Sequence, residues 1–123
     1  MSAHCNRVPV RDGHTECVSI RLRTPATPQD AAQVMAGFRA KPQELELPSA
    51  PEHPVIVRAE PNRPQPNIDR DAENGMATTV GRVRECALLG TKFVLLGHNT
   101  IRGAAGASIL NAELFKVEGL LPV

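Results

Sequence analysis

The chain opens with two stretches in which apolar and polar residues alternate, as they do in half-buried β-strands. The first stretch covers residues 3–10, and the second covers residues 15–23. Asp12-Gly13, a strong turn signal, lies between them. The pattern therefore predicts a β-hairpin with a short loop, and His14 lies where that loop ends.

A helix is predicted next. Thr27 can act as its N-cap, Pro28 suits the first helical position, and Asp30 places a negative charge in the first turn. Lys41-Pro42 should end the helix, and the proline-rich residues 42–54 predict a loop. Apolar residues recur at helical spacing between these limits, at Ala31, Val34, Met35 and Phe38.

The middle of the chain predicts three further strands. Residues 55–57 are a short apolar run of the buried type, and residues 61–75, which contain three prolines and show no periodicity, predict a connecting segment. Two strands are then predicted at residues 76–86 and 92–98, with a turn at Leu89-Gly90.

Residues 103–115 begin with small side chains and continue with apolar residues at helical spacing, which predicts a final helix. The order of elements predicts an α+β fold in which helices cover one face of a largely antiparallel sheet. The first strand has nothing upstream to cover or pair its edge, so we expect these residues to come from the interior of a longer protein.

Composition excludes several classes of protein. The 14 basic and 13 acidic residues are interspersed and leave a net charge of +1, so we expect no nucleic-acid partner. No apolar run approaches the roughly 20 residues that span a bilayer, so we expect no membrane association. The three widely spaced cysteines fit free thiols, which predicts a cytoplasmic protein.

Three polar residues could carry chemistry. The Arg7 guanidinium can bind a carboxylate through two hydrogen bonds, and the His14 imidazole can transfer a proton near neutral pH. By spacing alone, an exposed strand arginine and a turn histidine explain this pair better. Asn99 precedes a glycine-rich helix start whose free N–H groups could hold a ligand, although composition favours an ordinary N-cap at Asn99 or Thr100 with tight helix–sheet packing.

The histidines and cysteines suggest other possibilities. Cys5 or Cys17 could in principle be a nucleophile activated by His14, but an isolated cysteine is more often a buried strand residue. No histidine pair has helical metal-ligand spacing, and the neighbours His4 and Cys5 should face opposite sides of a strand. The sequence therefore predicts no metal site.

Four motifs occur in order along residues 3–115. Together they resemble the aspartate-semialdehyde dehydrogenases, and in particular the fungal and archaeal branch. The motifs are Cys5-Asn6-Arg7-Val8-Pro9-Val10 with Asp12-Gly13-His14-Thr15-Glu16-Cys17, Arg63-Pro64-Gln65-Pro66 with Asp69-Arg70, Val80-Gly81-Arg82-Val83-Arg84-Glu85, and His98-Asn99-Thr100 with Gly103-Ala104-Ala105-Gly106.

The resemblance implies the NADP-dependent reductive dephosphorylation of L-4-aspartyl phosphate to L-aspartate-4-semialdehyde, in lysine, threonine and methionine biosynthesis. It implies that Arg7 binds the substrate carboxylate, that His14 is the acid/base catalyst and that Asn99 lies near the nicotinamide. Cys5 and Cys17 do not match the nucleophile of the family. The expected fold is that of the glyceraldehyde-3-phosphate-dehydrogenase-like catalytic and dimerisation domain, which forms a homo-dimer or tetramer.

In the family, the NADP-binding domain and the nucleophilic cysteine lie upstream of the part that residues 1–123 resemble. We therefore expect a truncated C-terminal part of the catalytic domain, whose helix 103–115 would pack on the cofactor domain. Alone it should be inactive, because the thiol is missing, and should not bind NADP tightly. The alternatives are a domain like that of N-acetyl-glutamyl-phosphate reductase, which fits the hairpin motif less well, and a non-catalytic dimerisation module.

Overall fold

A computed structural model describes residues 1–120. Its centre is a five-stranded sheet in the order β1-β2-β5-β4-β3. The strands, in chain order, are β1 (Ser2–Asn6), β2 (His14–Ile20), β3 (Val55–Arg58), β4 (Thr78–Cys86) and β5 (Gly90–Gly97).

Three of the strand pairs are antiparallel, and only β3 runs parallel to its neighbour β4. The predicted α+β class with a largely antiparallel sheet is therefore confirmed. A bulge interrupts the β4–β5 register between Gly81 and Arg84. Arg82 has a φ of +55° there, which is typical of the local distortion that a bulge requires.

In the described part of the chain four helices accompany the sheet, and two short irregular turns precede β4 and the last helix. Among residues 1–120, no helix is long and apolar enough to cross a membrane. The helices are α1 (Pro28–Ala36), α2 (Lys41–Glu44), α3 (Pro66–Asp69) and α4 (Gly106–Val117), and the turns are a 3-10 turn at Ala72–Gly75 and a π-helical turn at Ile101–Ala105.

The hairpin differs from the prediction. β1 ends at Asn6, so Val8 and Val10 do not belong to it, and residues 7–13 form a loop much longer than a tight turn. Pro9 explains the early end, since proline cannot donate to a strand ladder. Arg7 is therefore a loop residue, whereas His14 is the first residue of β2.

Two other predictions need correction. Residues 42–54 are not a plain loop, because Lys41-Pro42 begins the one-turn helix α2, in which Pro42 occupies the first turn. Residues 61–75 likewise hold α3 and the 3-10 turn. Periodicity cannot reveal a helix of four residues, since it completes only one turn.

Buried side chains lie on both faces of the sheet. On β2, His14, Glu16 and Val18 point to one side, which we call the site face, and Val18 is buried there. Leu96 and Thr79 point to the opposite face and are almost completely buried. The segment around Arg63 packs closely on that opposite face, because a Cβ atom at Gly81 would meet the Arg63 carbonyl.

An ion cluster holds this segment in place. Asp69 is 1% exposed, and its carboxylate accepts hydrogen bonds from Arg63 and from the backbone N–H of Gln65 at 2.7 Å. Burial raises the pKa of Asp69, but the hydrogen bonds from Arg63 and Gln65 outweigh it, so the pKa of this carboxyl is lowered.

The last helix packs against residues that precede β4. Leu110 of α4 joins Leu47 and Met76 in a buried cluster, and Leu114 lies partly buried against it. Glu113 accepts hydrogen bonds from the backbone N–H and the hydroxyl of Ser49, at 3.0 and 2.7 Å. One side of α4 is therefore fixed within the chain itself.

Candidate functional site

The three predicted site residues meet at one end of the sheet. His14, at the start of β2, pairs with Gly97 at the end of β5, and Asn99 follows two residues later. The loop of residues 7–13 carries Arg7 to the same end. The fold thus brings together two segments that are far apart in the sequence.

A cavity of about 460 Å³ lies between these segments. Arg7, His14 and Asn99 all contribute to its lining, together with Cys5 and Arg11. A second cavity of about 300 Å³ shares His14 and Asn99 and adds Glu16 and Arg102. A small anionic molecule fits this arrangement, since guanidinium groups line one cavity and an imidazole borders both.

The two segments are joined by a direct hydrogen bond. The backbone N–H of Gly13 donates to Oδ1 of Asn99 at 3.1 Å. Gly13 has a φ of +115°, a conformation that side-chain-bearing residues rarely adopt, and a Cβ atom there would contact Leu96 and Pro66 at 3.2 Å. Glycine therefore lets the loop pass close to the sheet and places its N–H toward Asn99.

Asn99 does not cap the helix that follows it. His98, which is 7% exposed, takes that part: its Nδ1 lies 3.3 Å from the backbone N–H groups of Thr100 and Ile101 and accepts from both. The simple cap that the sequence allowed for Asn99 is thus wrong. The Asn99 side chain instead accepts a hydrogen bond from the loop at Gly13. The capping role of His98 was not predicted from the sequence.

The cysteines separate into different environments. Cys5 lies opposite Glu16 and shares the site face with His14, whereas Cys17 pairs with His4 on the opposite face and accepts a hydrogen bond from Asn6 at 3.3 Å. Cys86 lies at the far end of β4, where the backbone N–H groups of Leu89 and Leu88 lower the pKa of its thiol. Cys5 is therefore the cysteine that lies beside His14 and Glu16.

Glu16 belongs to the site and was missed by the sequence analysis. Its Oε1 lies 3.3 Å from Nε2 of His14, and the two side chains are 28% and 54% exposed. The ligand atoms of Cys5, His14 and Glu16 lie within 4.8 Å of one another. The alternation of β2 could have revealed the pairing of His14 with Glu16, but only the strand register brings in Cys5.

Comparison with known proteins agrees with this arrangement. Residues 1–102 match the family model of the semialdehyde dehydrogenase dimerisation domain. Aspartate-semialdehyde dehydrogenase of Methanothermobacter thermautotrophicus is 60% identical over 116 residues, which cover 93% of this chain and 33% of the relative. The Candida albicans enzyme is 46% identical over 123 residues, covering 98% of this chain and 34% of the relative.

Solved structures agree as well. The crystal structure of the Candida albicans enzyme with NADP superposes with a TM-score of 0.83 at 44% identity, over 94% of this chain and 33% of that one. Aspartate-semialdehyde dehydrogenase II of Vibrio cholerae, at 24% identity and a TM-score of 0.65, shares the fold. The chain spans about a third of the length of the curated relatives it matches.

These relatives confirm the resemblance to the archaeal and fungal branch. The matched model covers residues 1–102, from before β1 through β5 into the π-helical turn, and so contains the hairpin, the cavity lined by Arg7 and His14, and Asn99. The chain therefore belongs to the family of semialdehyde dehydrogenase dimerisation domains.

Proposed function

We propose that residues 1–123 supply the substrate-binding and acid/base part of an aspartate-semialdehyde dehydrogenase active site. In this proposal Arg7 binds the carboxylate of the aspartyl substrate, His14 transfers the proton, and Asn99 borders the nicotinamide of NADP. The observation that carries it is the cavity that these three side chains line together. The 60% identity to the Methanothermobacter enzyme supports the same reaction.

The geometry suits these roles. A guanidinium presents parallel N–H groups that match a carboxylate, and the open cavity leaves them accessible to a small acid. Glu16, 3.3 Å from Nε2 of His14, can orient the imidazole. The bond between Gly13 and Asn99 holds the loop against the residues that would face the cofactor.

We also propose that α4 packs on an NADP-binding domain. One side of the helix is fixed by Leu110 and Leu114, but Ile109, Phe115 and Val117 are 48–57% exposed. Apolar side chains of this size on a helix suit a second packing surface. The cofactor would then be held chiefly by that domain, and NADP would not bind tightly to these 123 residues alone.

The proposal includes a homo-oligomer, a dimer or a tetramer, located in the cytoplasm. The match to a dimerisation domain supports association between copies. The chain could therefore also act as a non-catalytic dimerisation module. Native mass spectrometry of a mixture with a full-length relative tests this second possibility, because a dimerisation module should form hetero-oligomers with the relative.

A chimera tests the catalytic roles. Residues 1–123 would replace the matched third of the Methanothermobacter enzyme, whose remaining two thirds would provide the cofactor domain and thiol that the resemblance implies. His14→Asn should lower kcat by about a hundredfold or more, as expected for a lost acid/base group. Arg7→Lys should lower kcat/KM at least about tenfold, mainly through KM, because lysine cannot make the paired hydrogen bonds.

Matched controls are available in the same chain. His4 points away from the site face of β1, and Arg23 is exposed beyond β2. His4→Asn and Arg23→Lys should therefore leave kcat and kcat/KM unchanged. The roles are refuted if the His14 and Arg7 variants behave like these controls. The unfused 123-residue chain, assayed with NADP, phosphate and the semialdehyde, should show no turnover above a mock preparation.

A further inference from the structure

We propose that Cys5, His14 and Glu16 form a binding site for Zn²⁺. The three side chains come from neighbouring strands and share the site face. Cys5 lies directly opposite Glu16 in the antiparallel pair, and His14 precedes Glu16 by two residues on β2. Strand register therefore places a thiol, an imidazole and a carboxylate side by side without any contribution from a loop.

The distances suit a tetrahedral ion. Zn²⁺ binds sulfur at about 2.3 Å and nitrogen or oxygen at about 2.0–2.2 Å, so neighbouring ligand atoms lie roughly 3.5 Å apart. Nε2 of His14 and Oε1 of Glu16 are already separated by 3.3 Å. All three ligand atoms lie within 4.8 Å of one another, and Cys5 is exposed, so rotation of its short side chain can bring the sulfur closer.

The donor set selects the metal. Thiolate and imidazole bind Zn²⁺ well, whereas Mg²⁺ and Ca²⁺ require oxygen ligands. Three protein ligands leave one position for water or another small ligand, as in open zinc sites. Arg7 and Arg11 line the cavity that contains Cys5 and His14, and their positive charge should make the site weaker than a closed four-ligand site.

Binding of the ion is independent of the proposed function, but its consequence rests on it. Zn²⁺ would occupy Nε2 of His14, and an imidazole nitrogen bound to a metal cannot carry a proton. If His14 is the acid/base catalyst, Zn²⁺ bound there inhibits the reaction of the chimera. Zinc binding without inhibition of the chimera would then count against the role of His14 and leave the metal site intact.

The direct test is zinc titration of the metal-free 123-residue chain against a chromophoric chelator, in a reducing buffer that does not bind metals. We expect one Zn²⁺ per chain. Cys5→Ser and Glu16→Gln should each weaken binding at least about tenfold, the lower end of the losses seen at disrupted metal sites. Cys17→Ser and His4→Asn, on the opposite face, should bind like the unchanged chain.

Cobalt gives a second readout. Co²⁺ bound to a thiolate shows a near-ultraviolet charge-transfer band, which should be lost in Cys5→Ser and retained in Cys17→Ser. Circular dichroism of each variant separates loss of the metal from loss of the fold, and the exposed Cys5 predicts that the fold survives. Unchanged affinity in both Cys5→Ser and Glu16→Gln, equal weakening by Cys17→Ser, or one ion per two chains overturns the proposal.

Discussion

The backbone N–H of Gly13 donates a hydrogen bond to the Asn99 side chain, 86 positions further along the chain. This bond joins the loop that carries Arg7 to the residues between β5 and α4. The order of the candidate site thus depends on a contact between two loops as well as on the sheet that supports them.

Asn99→Ala should loosen that loop. Loss of a single exposed hydrogen bond should reduce the free energy of unfolding by about 1 kcal/mol or less, while amide exchange of residues 7–13 becomes faster. Asn99→Asp keeps the acceptor oxygen and should restore slow exchange. Hydrogen exchange followed by NMR measures both, and equal protection in Asn99→Ala and the unchanged chain would show that the bond does not order the loop.

Two strand glycines provide a matched pair for packing. A Cβ atom at Gly81 would collide with the carbonyl of Arg63, whereas one at Gly97 would meet nothing within 4 Å. Gly81→Ala should therefore lower the free energy of unfolding by about 1–3 kcal/mol. Gly97→Ala should be neutral or slightly stabilising. Urea denaturation of the two variants measures the difference, and equal stability would contradict the close packing of the Arg63 segment.

The buried ion cluster predicts a dependence of stability on pH. Since the pKa of Asp69 is lowered in the folded chain, its contribution is complete above the ordinary value of 3.8 and is lost as the pH falls through the lower folded value. Asp69→Asn should cost about 3 kcal/mol at neutral pH, because Arg63 loses its buried partner. Denaturation curves measured between pH 7 and 3 give the free energy of unfolding, which should decrease less steeply with falling pH for this variant than for the unchanged chain.

The control for this series is Glu44→Gln, which removes an exposed carboxylate elsewhere on the surface. It should follow the pH dependence of the unchanged chain. If Glu44→Gln reduces the loss of stability at low pH as much as Asp69→Asn does, the acid sensitivity does not come from the Asp69 ion cluster.

The N-terminus of α1 offers a local test. Oγ1 of Thr27 accepts a hydrogen bond from the backbone N–H of Asp30 at 3.1 Å, and the Asp30 carboxylate accepts one in return from the Thr27 backbone at 2.9 Å. Thr27→Ala should reduce stability by about 1 kcal/mol. The nearby exposed Thr24 serves as the control, and equal loss in Thr24→Ala would rule out the cap as the cause.

The sequence predicted the elements whose formation depends on residues close together in the chain. Thr27, Pro28 and Asp30 marked the start of α1 because a helix cap is made by residues three positions apart. β2 followed from its alternation, and β4 and β5 from two runs separated by the turn at Leu89-Gly90; their predicted ends were wrong by only a few residues. The end of β1 was missed, because alternation continued past Pro9 into a loop.

The site was predicted only in part. Arg7, His14 and Asn99 were named, and the structure places them around one cavity. Glu16 follows His14 by two residues on the same strand and could have been named as well, whereas Cys5 beside Glu16 depends on the pairing of β1 with β2. The capping role of His98 depends on the irregular turn at Ile101–Ala105, which has no periodic signature. Their roles in catalysis remain predictions for the chimera.

The register of β2 has one further consequence. His14, Glu16 and Val18 alternate with Thr15 and Cys17, so a shift of the strand by one position would exchange the two sets between the faces. Val18 is buried on the site face, so such a shift would move it out of its packed position and put a polar neighbour, Cys17 or Ser19, in its place. The burial of a valine four residues away thus helps to decide the direction in which the half-exposed imidazole points.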